Sequence, residues 1–110
     1  MELTEAHLRR LHILASEGFE ALSFPLFPTH IGVKKYGCAA LLEPAAEGRL
    51  RLFAPPGYLV AGNISVIVER RSEKWFVWKS ERVRATPERL STLRRFEEEL
   101  RGLLESPPPV

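Results

Sequence analysis

The sequence contains no aspartate and no glutamine, and it has a single asparagine, Asn63, and a single methionine, Met1. Its 14 acidic residues are all glutamates, and 12 of its 16 basic residues are arginines. A chain poor in heat-labile side chains and rich in glutamate and arginine is typical of a thermophile, which we therefore predict as its source. A genome rich in G and C would also raise the arginine content, so the arginines alone do not indicate a ligand.

Cysteine and histidine are scarce as well. The lone Cys38 excludes an intramolecular disulfide and lies in the apolar run YGCAALL, where we expect a small buried side chain. A nucleophilic cysteine needs a base or a positive field, and the sequence places neither beside it. His7 and His12 would point about 140° apart on one helix, and His30 stands alone. We therefore predict no metal site.

No apolar run approaches the roughly 18 residues that span a bilayer, so we predict no membrane association. The N-terminal MELTEAHLRRLHIL does not read as a signal peptide, which favours a cytoplasmic location. Glycine-rich phosphate loops and serine nucleophile motifs are missing, so no cofactor is expected and an enzyme is disfavoured. Catalysis would require glutamates to converge with other reactive side chains in one cleft: Glu43, Glu69 or Glu81 with His30, Cys38 or Tyr58.

Two segments have the pattern of helices. In the first, Thr4 can cap the free N–H groups, the apolar face comprises Leu8, Leu11 and Ala15, and the helix ends at Gly18 or continues to Leu22. The second begins at Thr86 with Pro87 in the first turn. Its apolar stripe (Leu90, Leu93, Phe96, Leu100, Leu103, Leu104) predicts packing on a sheet, with a short coiled coil as the alternative.

Between the helices, the sequence predicts strands separated by tight turns. An apolar segment with two prolines, SFPLFPTHIG, precedes them and is expected to pack over the core, or to form a lid over a pocket. The strands are grouped rather than alternating with helices, which indicates an antiparallel sheet. We predict a single α+β domain over residues 1–105, with about four strands flanked by the two helices, and a loose proline-rich tail at 106–110.

Positive charge is concentrated in the predicted sheet. Residues 32–85 carry a net charge of +5, whereas residues 1–31 carry −2 and residues 86–110 carry −1. The last predicted strand, WFVWKSERVRA, also contains three aromatic residues. If it is one continuous strand, Phe76 and Trp78 share a face with Arg82 and Arg84, because side chains alternate along a strand.

This arrangement allows three interpretations. The favoured one is that the aromatic residues form core or a surface for self-association, which makes the protein a homo-oligomer. The second is a site for another protein or a small ligand, including a pocket with Tyr58 and Asn63. The third is a surface for single-stranded nucleic acid, in which Phe76 and Trp78 stack on bases and the arginines, joined by Arg49 and Arg51, neutralise phosphates.

We therefore predict a small binding domain without catalytic residues, which self-associates through its aromatic sheet face or its C-terminal helix. Single-stranded nucleic-acid binding through the same sheet is the alternative. Glutamates at 69, 73 and 81 interleave with the basic residues and suit cross-strand ion pairs, which argues against a purely basic platform.

Overall fold

The computed structural model describes residues 3–24, 26–27 and 29–105. The proline-rich tail predicted at 106–110 and two prolines of the SFPLFPTHIG segment lie outside the described residues. The elements in chain order are α1 (Glu5–Ser16), β1 (Glu20–Leu22), β2 (Ile31–Lys35), β3 (Cys38–Pro44), a 3-10 turn (Ala46–Gly48), β4 (Leu50–Leu52), β5 (Gly57–Val60), β6 (Asn63–Ile64), β7 (Val66–Arg70), β8 (Glu73–Trp78), β9 (Glu81–Arg84) and α2 (Pro87–Glu105).

The α+β class and the two flanking helices are confirmed. The helix caps also follow the prediction, since Thr4 Oγ1 accepts from the backbone N–H of His7 and Thr86 Oγ1 accepts from that of Arg89. The first helix ends at Ser16, before Gly18, whose φ of +91° is left-handed and suits a residue without Cβ.

The buried face of α1 differs from the predicted one. His7, Arg10 and Leu14 are buried, whereas Leu8 is 53% exposed. Both polar residues bond to backbone carbonyl groups of other elements: His7 Nε2 lies 3.0 Å from the oxygen of Ala45, and Arg10 Nη1 donates to the oxygen of Leu103 at 3.0 Å. The prediction of a Leu8–Leu11–Ala15 face was wrong for Leu8 and Ala15, which are exposed, whereas Leu11 packs against the core beside the buried Leu14.

Nine strands form two antiparallel sheets in the described part of the chain, instead of the single sheet of about four strands that the sequence indicated. In the first sheet the order is β1-β2-β3-β5-β6, and β4 pairs with the far end of β3. The second sheet is the meander β7-β8-β9. Two-residue turns at 36–37, 61–62 and 79–80 divide three of the expected strand regions into shorter strands, and β1 forms ahead of them.

The helices and both sheets share one core. The apolar stripe of α2 supplies Leu93, Phe96, Leu100 and Leu104 to it, so the predicted packing of this helix on the sheet is confirmed. Phe76 of β8 is fully buried, and its ring stacks on that of Tyr58 in β5 with centroids 4.9 Å apart and planes at 12°. This aromatic pair joins the meander to the first sheet.

Candidate binding surfaces

A hairpin turn at Lys79–Ser80 determines which side chains share a face of the meander. Trp78 pairs with Glu81 across this turn, and Val77 pairs with Arg82. The residues from 75 to 85 therefore form two strands rather than the single one predicted. Since the turn reverses the chain, Arg82 and Arg84 lie on the face of Trp75 and Val77, opposite to Phe76.

We call the open face of the meander the arginine–tryptophan face. Its residues come from all three strands: Val68 and Arg70 of β7, Trp75 and Val77 of β8, and Arg82 and Arg84 of β9. The guanidinium carbon of Arg82 lies 4.9 Å from the centroid of the Trp75 ring, and that of Arg84 lies 5.6 Å from it. Both distances are within cation–π range.

A cleft of about 360 Å³ opens on this face. It is lined by Val68, Arg70, Trp75, Val77, Lys79, Ser80, Glu81 and Arg82. Arg84, beside the cleft, forms an ion pair with Glu73. Among the described residues, Arg70, Lys79 and Arg82 have no carboxylate within 4.0 Å, so no ion pair neutralises their charges, although Lys79 Nζ lies 5.4 Å from the centroid of the Trp78 ring.

The structure separates the six residues predicted to form one basic aromatic surface. Phe76 is buried in the core, in line with the favoured interpretation of the aromatic residues, and the prediction that it shares a face with Arg82 and Arg84 was wrong. Trp78 is half-buried on the same side as Phe76. Arg49 and Arg51 belong to the β4 region of the first sheet, where Arg51 Nε donates to Glu43 at 2.6 Å.

Tyr58 and Asn63, which were predicted to share a pocket, are each engaged in another contact. Tyr58 is engaged in its stack with Phe76. Asn63 donates from Nδ2 to the oxygen of Ala61 at 3.0 Å and thereby closes the turn between β5 and β6. The left-handed positions of this turn are Ala61 and Gly62, with φ of 51° and 76°. Asn63 thus acts in the turn, one position after the left-handed residues.

A second surface is almost wholly apolar, and we call it the apolar groove. Its volume is about 490 Å³, and no charged residue lines it. The lining residues are Phe27, Leu41, Ala54, Pro55, Pro56, Gly57, Ile64, Ser65, Val66, Ile67 and Trp78. Part of the SFPLFPTHIG segment therefore packs against the sheets, as predicted, and also forms one wall of a groove.

Large apolar side chains are exposed around this groove. Val66 is 63% exposed, Ile67 is 49% exposed and Phe27 is 36% exposed. Phe53 extends the patch, since its ring lies 6.3 Å from that of Phe27 and 3.9 Å from that of His30. The groove also borders β7, which pairs with β8 alone among the described strands. An apolar patch and an unpaired strand edge thus lie side by side.

Three of the side chains considered for catalysis, those of Cys38, His30 and Glu43, are buried or engaged in other contacts. Burial raises the pKa of the Cys38 thiol to about 11, so the thiol is protonated at neutral pH and is a poor nucleophile. His30 packs on Phe53, and Glu43 is paired with Arg51. Among the described residues, no three of His, Cys and Glu come together as metal ligands.

Comparisons of this chain with models of known protein families, with curated proteins and with solved structures find no match. Within the described part of the chain, no helix is both long and apolar enough to cross a membrane. Function therefore has to be inferred from the two surfaces themselves.

Sequence reasoning missed the residues that are central to both surfaces: Trp75, Val66 and Ile67. The consecutive apolar residues Val66, Ile67 and Val68 place apolar side chains on both faces of a strand, which is typical of a covered strand or an interface. This pattern did not show that this strand lies at an edge. Trp75 was not expected on the face of Arg82 and Arg84, because the Lys79–Ser80 turn contains no glycine, proline or asparagine to indicate it.

Proposed function

We propose that this protein is a binding module that self-associates, and that the apolar groove with the adjoining edge of β7 forms the interface between two copies. The observation that carries the proposal is the coincidence of two features in one place. Uncharged, exposed apolar side chains surround a groove, and the strand beside it has an edge without a partner.

The apolar patch is unusual for a surface of this chain. Charged residues make up 27% of the sequence, yet none of them lines the groove. Contiguous apolar patches on soluble proteins mark sites of association, and aromatic residues such as Phe27 and Trp78 are enriched there. Covering Val66 and Ile67 would remove from water two of the most exposed large apolar side chains of the described residues.

The β7 edge favours a second copy over an unrelated partner. Native proteins protect free edges with charged side chains, proline or bulges; β7 has charged residues only at its end, Glu69 and Arg70, and none of these features occurs in Val66, Ile67 and Val68. Two copies of β7 paired antiparallel about Ile67 would place Val66 opposite Val68 of the second copy. The pairing is therefore apolar throughout its centre, and a two-fold axis limits it to two copies because each β7 edge is then paired.

The C-terminal helix, the other surface predicted for self-association, is less suitable. Its apolar residues Leu93, Phe96, Leu100 and Leu104 are buried in the core of the same chain. The outer faces of α2 carry ion pairs instead, such as Arg101 with Glu97 and Arg95 with Glu99. The groove, and not the helix, is therefore the proposed interface.

Light scattering coupled to size exclusion tests this proposal with two matched variants. Ile67→Lys places a charge in the groove and beside the β7 edge. Leu8→Lys makes the same kind of change at an exposed leucine of α1, away from the groove. We expect the unmodified protein and Leu8→Lys to be dimers at about 100 µM, where even a weak interface of standard size is populated.

Ile67→Lys should be a monomer under the same conditions, with an unchanged circular dichroism spectrum. A monomeric unmodified protein at this concentration would refute the proposal. Dissociation of the Leu8→Lys variant to the same extent would also refute it, since the effect of a new lysine would then be unrelated to the groove.

A further inference from the structure

We propose that the arginine–tryptophan face is a binding site for single-stranded nucleic acid, beside the interface proposed above and sharing β7 with it. In this site, Trp75 and the guanidinium groups stacked on it provide planar surfaces for unpaired bases. Arg70, Lys79 and Arg82 provide positive charge for the phosphates along the cleft.

The first argument is the geometry around Trp75. Its indole ring is half-buried and lies between strands that supply apolar neighbours, Val68 directly opposite on β7 and Val77 two residues further along β8. Arg82 and Arg84 come from β9, at 4.9 and 5.6 Å from the ring centroid. Aromatic rings and arginine planes are the two side-chain surfaces on which unstacked bases are held.

The second argument is electrostatic. The meander from Val66 to Arg84 contains six lysines or arginines and three glutamates, a net charge of +3, whereas the remainder of the chain has a net charge of −1. The positive charge of the whole protein therefore resides on this small sheet. Such a local field attracts polyanions and neutralises phosphates with release of counterions.

The third argument distinguishes nucleic acid from other anions. An acidic peptide or a free anion would bind through the cations, and its binding would not depend on the ring at the centre of the cleft. The combination of unpaired cations with a planar, apolar centre matches a ligand that is itself alternately charged and planar. A single strand is indicated rather than a duplex, because stacking on Trp75 requires a base that is free of its neighbours.

Fluorescence anisotropy of a labelled mixed-sequence DNA oligonucleotide, titrated with the full chain at low and at high salt, tests this inference. We expect saturable binding at about 50 mM salt that weakens steeply toward 200 mM. Trp75→Leu should weaken binding by about 5- to 100-fold through lost stacking. Arg82→Gln should weaken it and lower the slope of log affinity against log salt by about 1.

Arg49→Gln is the matched control, since it removes the same charge from an exposed arginine immediately before β4, outside the meander. It should leave affinity and salt slope nearly unchanged. Arg82→Gln keeps the inference testable if Trp75→Leu fails to fold, which circular dichroism reveals. The Ile67→Lys variant should still bind, so failure of the proposed dimer and failure of this site are separable.

Three outcomes would overturn the inference. One is the absence of saturable binding at low salt. Another is an equal loss for Arg49→Gln and Arg82→Gln, which would indicate diffuse attraction by net charge. The third is that a polyanion unable to stack on Trp75 binds with the same affinity as the single strand. Either poly-glutamate, added as a competitor, or the corresponding duplex would serve as that polyanion.

Discussion

Truncation of Phe76 should destabilise the protein far more than truncation of its neighbour Trp75, because the two side chains lie on opposite faces of β8. Phe76 is fully buried and stacks on Tyr58 at 4.9 Å, whereas Trp75 is only half-buried. Phe→Ala changes in a core cost about 3–5 kcal/mol, and the stacked pair places Phe76→Ala toward the upper end. For Trp75→Ala we expect a loss of about 1 kcal/mol, mainly from the arginine stacks.

Equilibrium unfolding in urea measures both changes. A domain of this size has a stability of about 5–15 kcal/mol, so Phe76→Ala removes a large part of it. With an m-value of about 2 kcal/mol per molar urea, the midpoint should fall by roughly 2 M for Phe76→Ala and by less than about 1 M for Trp75→Ala. The m-value itself should not change.

A double-mutant cycle with Tyr58→Ala examines whether the ring stack joins the two sheets. The sum of the losses in unfolding free energy of the two single variants should exceed the loss of the double variant by about 1 kcal/mol, the usual coupling energy of an aromatic pair. If Trp75→Ala costs as much as Phe76→Ala, the assignment of the two faces is incorrect. A marked fall in the m-value for Phe76→Ala would instead mean that the meander unfolds independently of the first sheet.

Three further outcomes follow from individual contacts. Because burial raises the pKa of Cys38 to about 11, the unfolded chain loses this proton near pH 9 and the folded one near pH 11. Stability should therefore fall over this window, by about 2–3 kcal/mol relative to Cys38→Ala in unfolding measured against pH. The hydrogen bond from Lys35 lowers the pKa of Glu99, so this pair stabilises the fold above pH 4.5 and is lost as pH falls through the lowered pKa. Glu99→Gln should cost about 0.5–1 kcal/mol at pH 7, a difference that disappears in acid. Finally, Gly57→Ala should lower the thermal midpoint, since its Cβ would lie 2.3 Å from the carbonyl oxygen of Ser65, and overpacking costs about 1–3 kcal/mol.

Local signals in the sequence were sufficient for the helices and for the fold class. Thr4 and Thr86 are caps whose effect depends only on the residues that follow, and the stripe of α2 fixes its buried face. The buried face of α1 was not accessible in the same way. His7 and Arg10 are buried because they meet carbonyl groups 38 and 93 residues away along the chain, and no local pattern encodes such partners.

The candidate sites depended on strand boundaries, which sequence reasoning determines less well. Lys79 takes a left-handed conformation, with φ of 51°, although it is neither glycine nor asparagine. Without this turn, Arg82 and Arg84 fall on the face of Phe76. With it, they fall on the face of Trp75. A single unrecognised hairpin therefore replaced the two aromatic residues of the predicted nucleic-acid surface, Phe76 and Trp78, by Trp75, while Arg82 and Arg84 remained part of it.

The order Trp-Phe-Val-Trp makes β8 apolar on both faces, but the core covers only the face of Phe76. Arg82 and Arg84 cover part of Trp75. This contact has one of two roles: it shields the ring from solvent as part of the fold, or it forms part of a ligand site. The two roles predict different effects of Arg82→Gln on stability and on binding affinity. If the stack is structural, Arg82→Gln should lower stability by about 0.5–1 kcal/mol, the value of an exposed cation–π contact, and leave binding unaffected. If the stack is a ligand site, the same variant should weaken binding to the single strand much more than it lowers stability. Measuring both quantities on one variant therefore separates a covered tryptophan from a functional one.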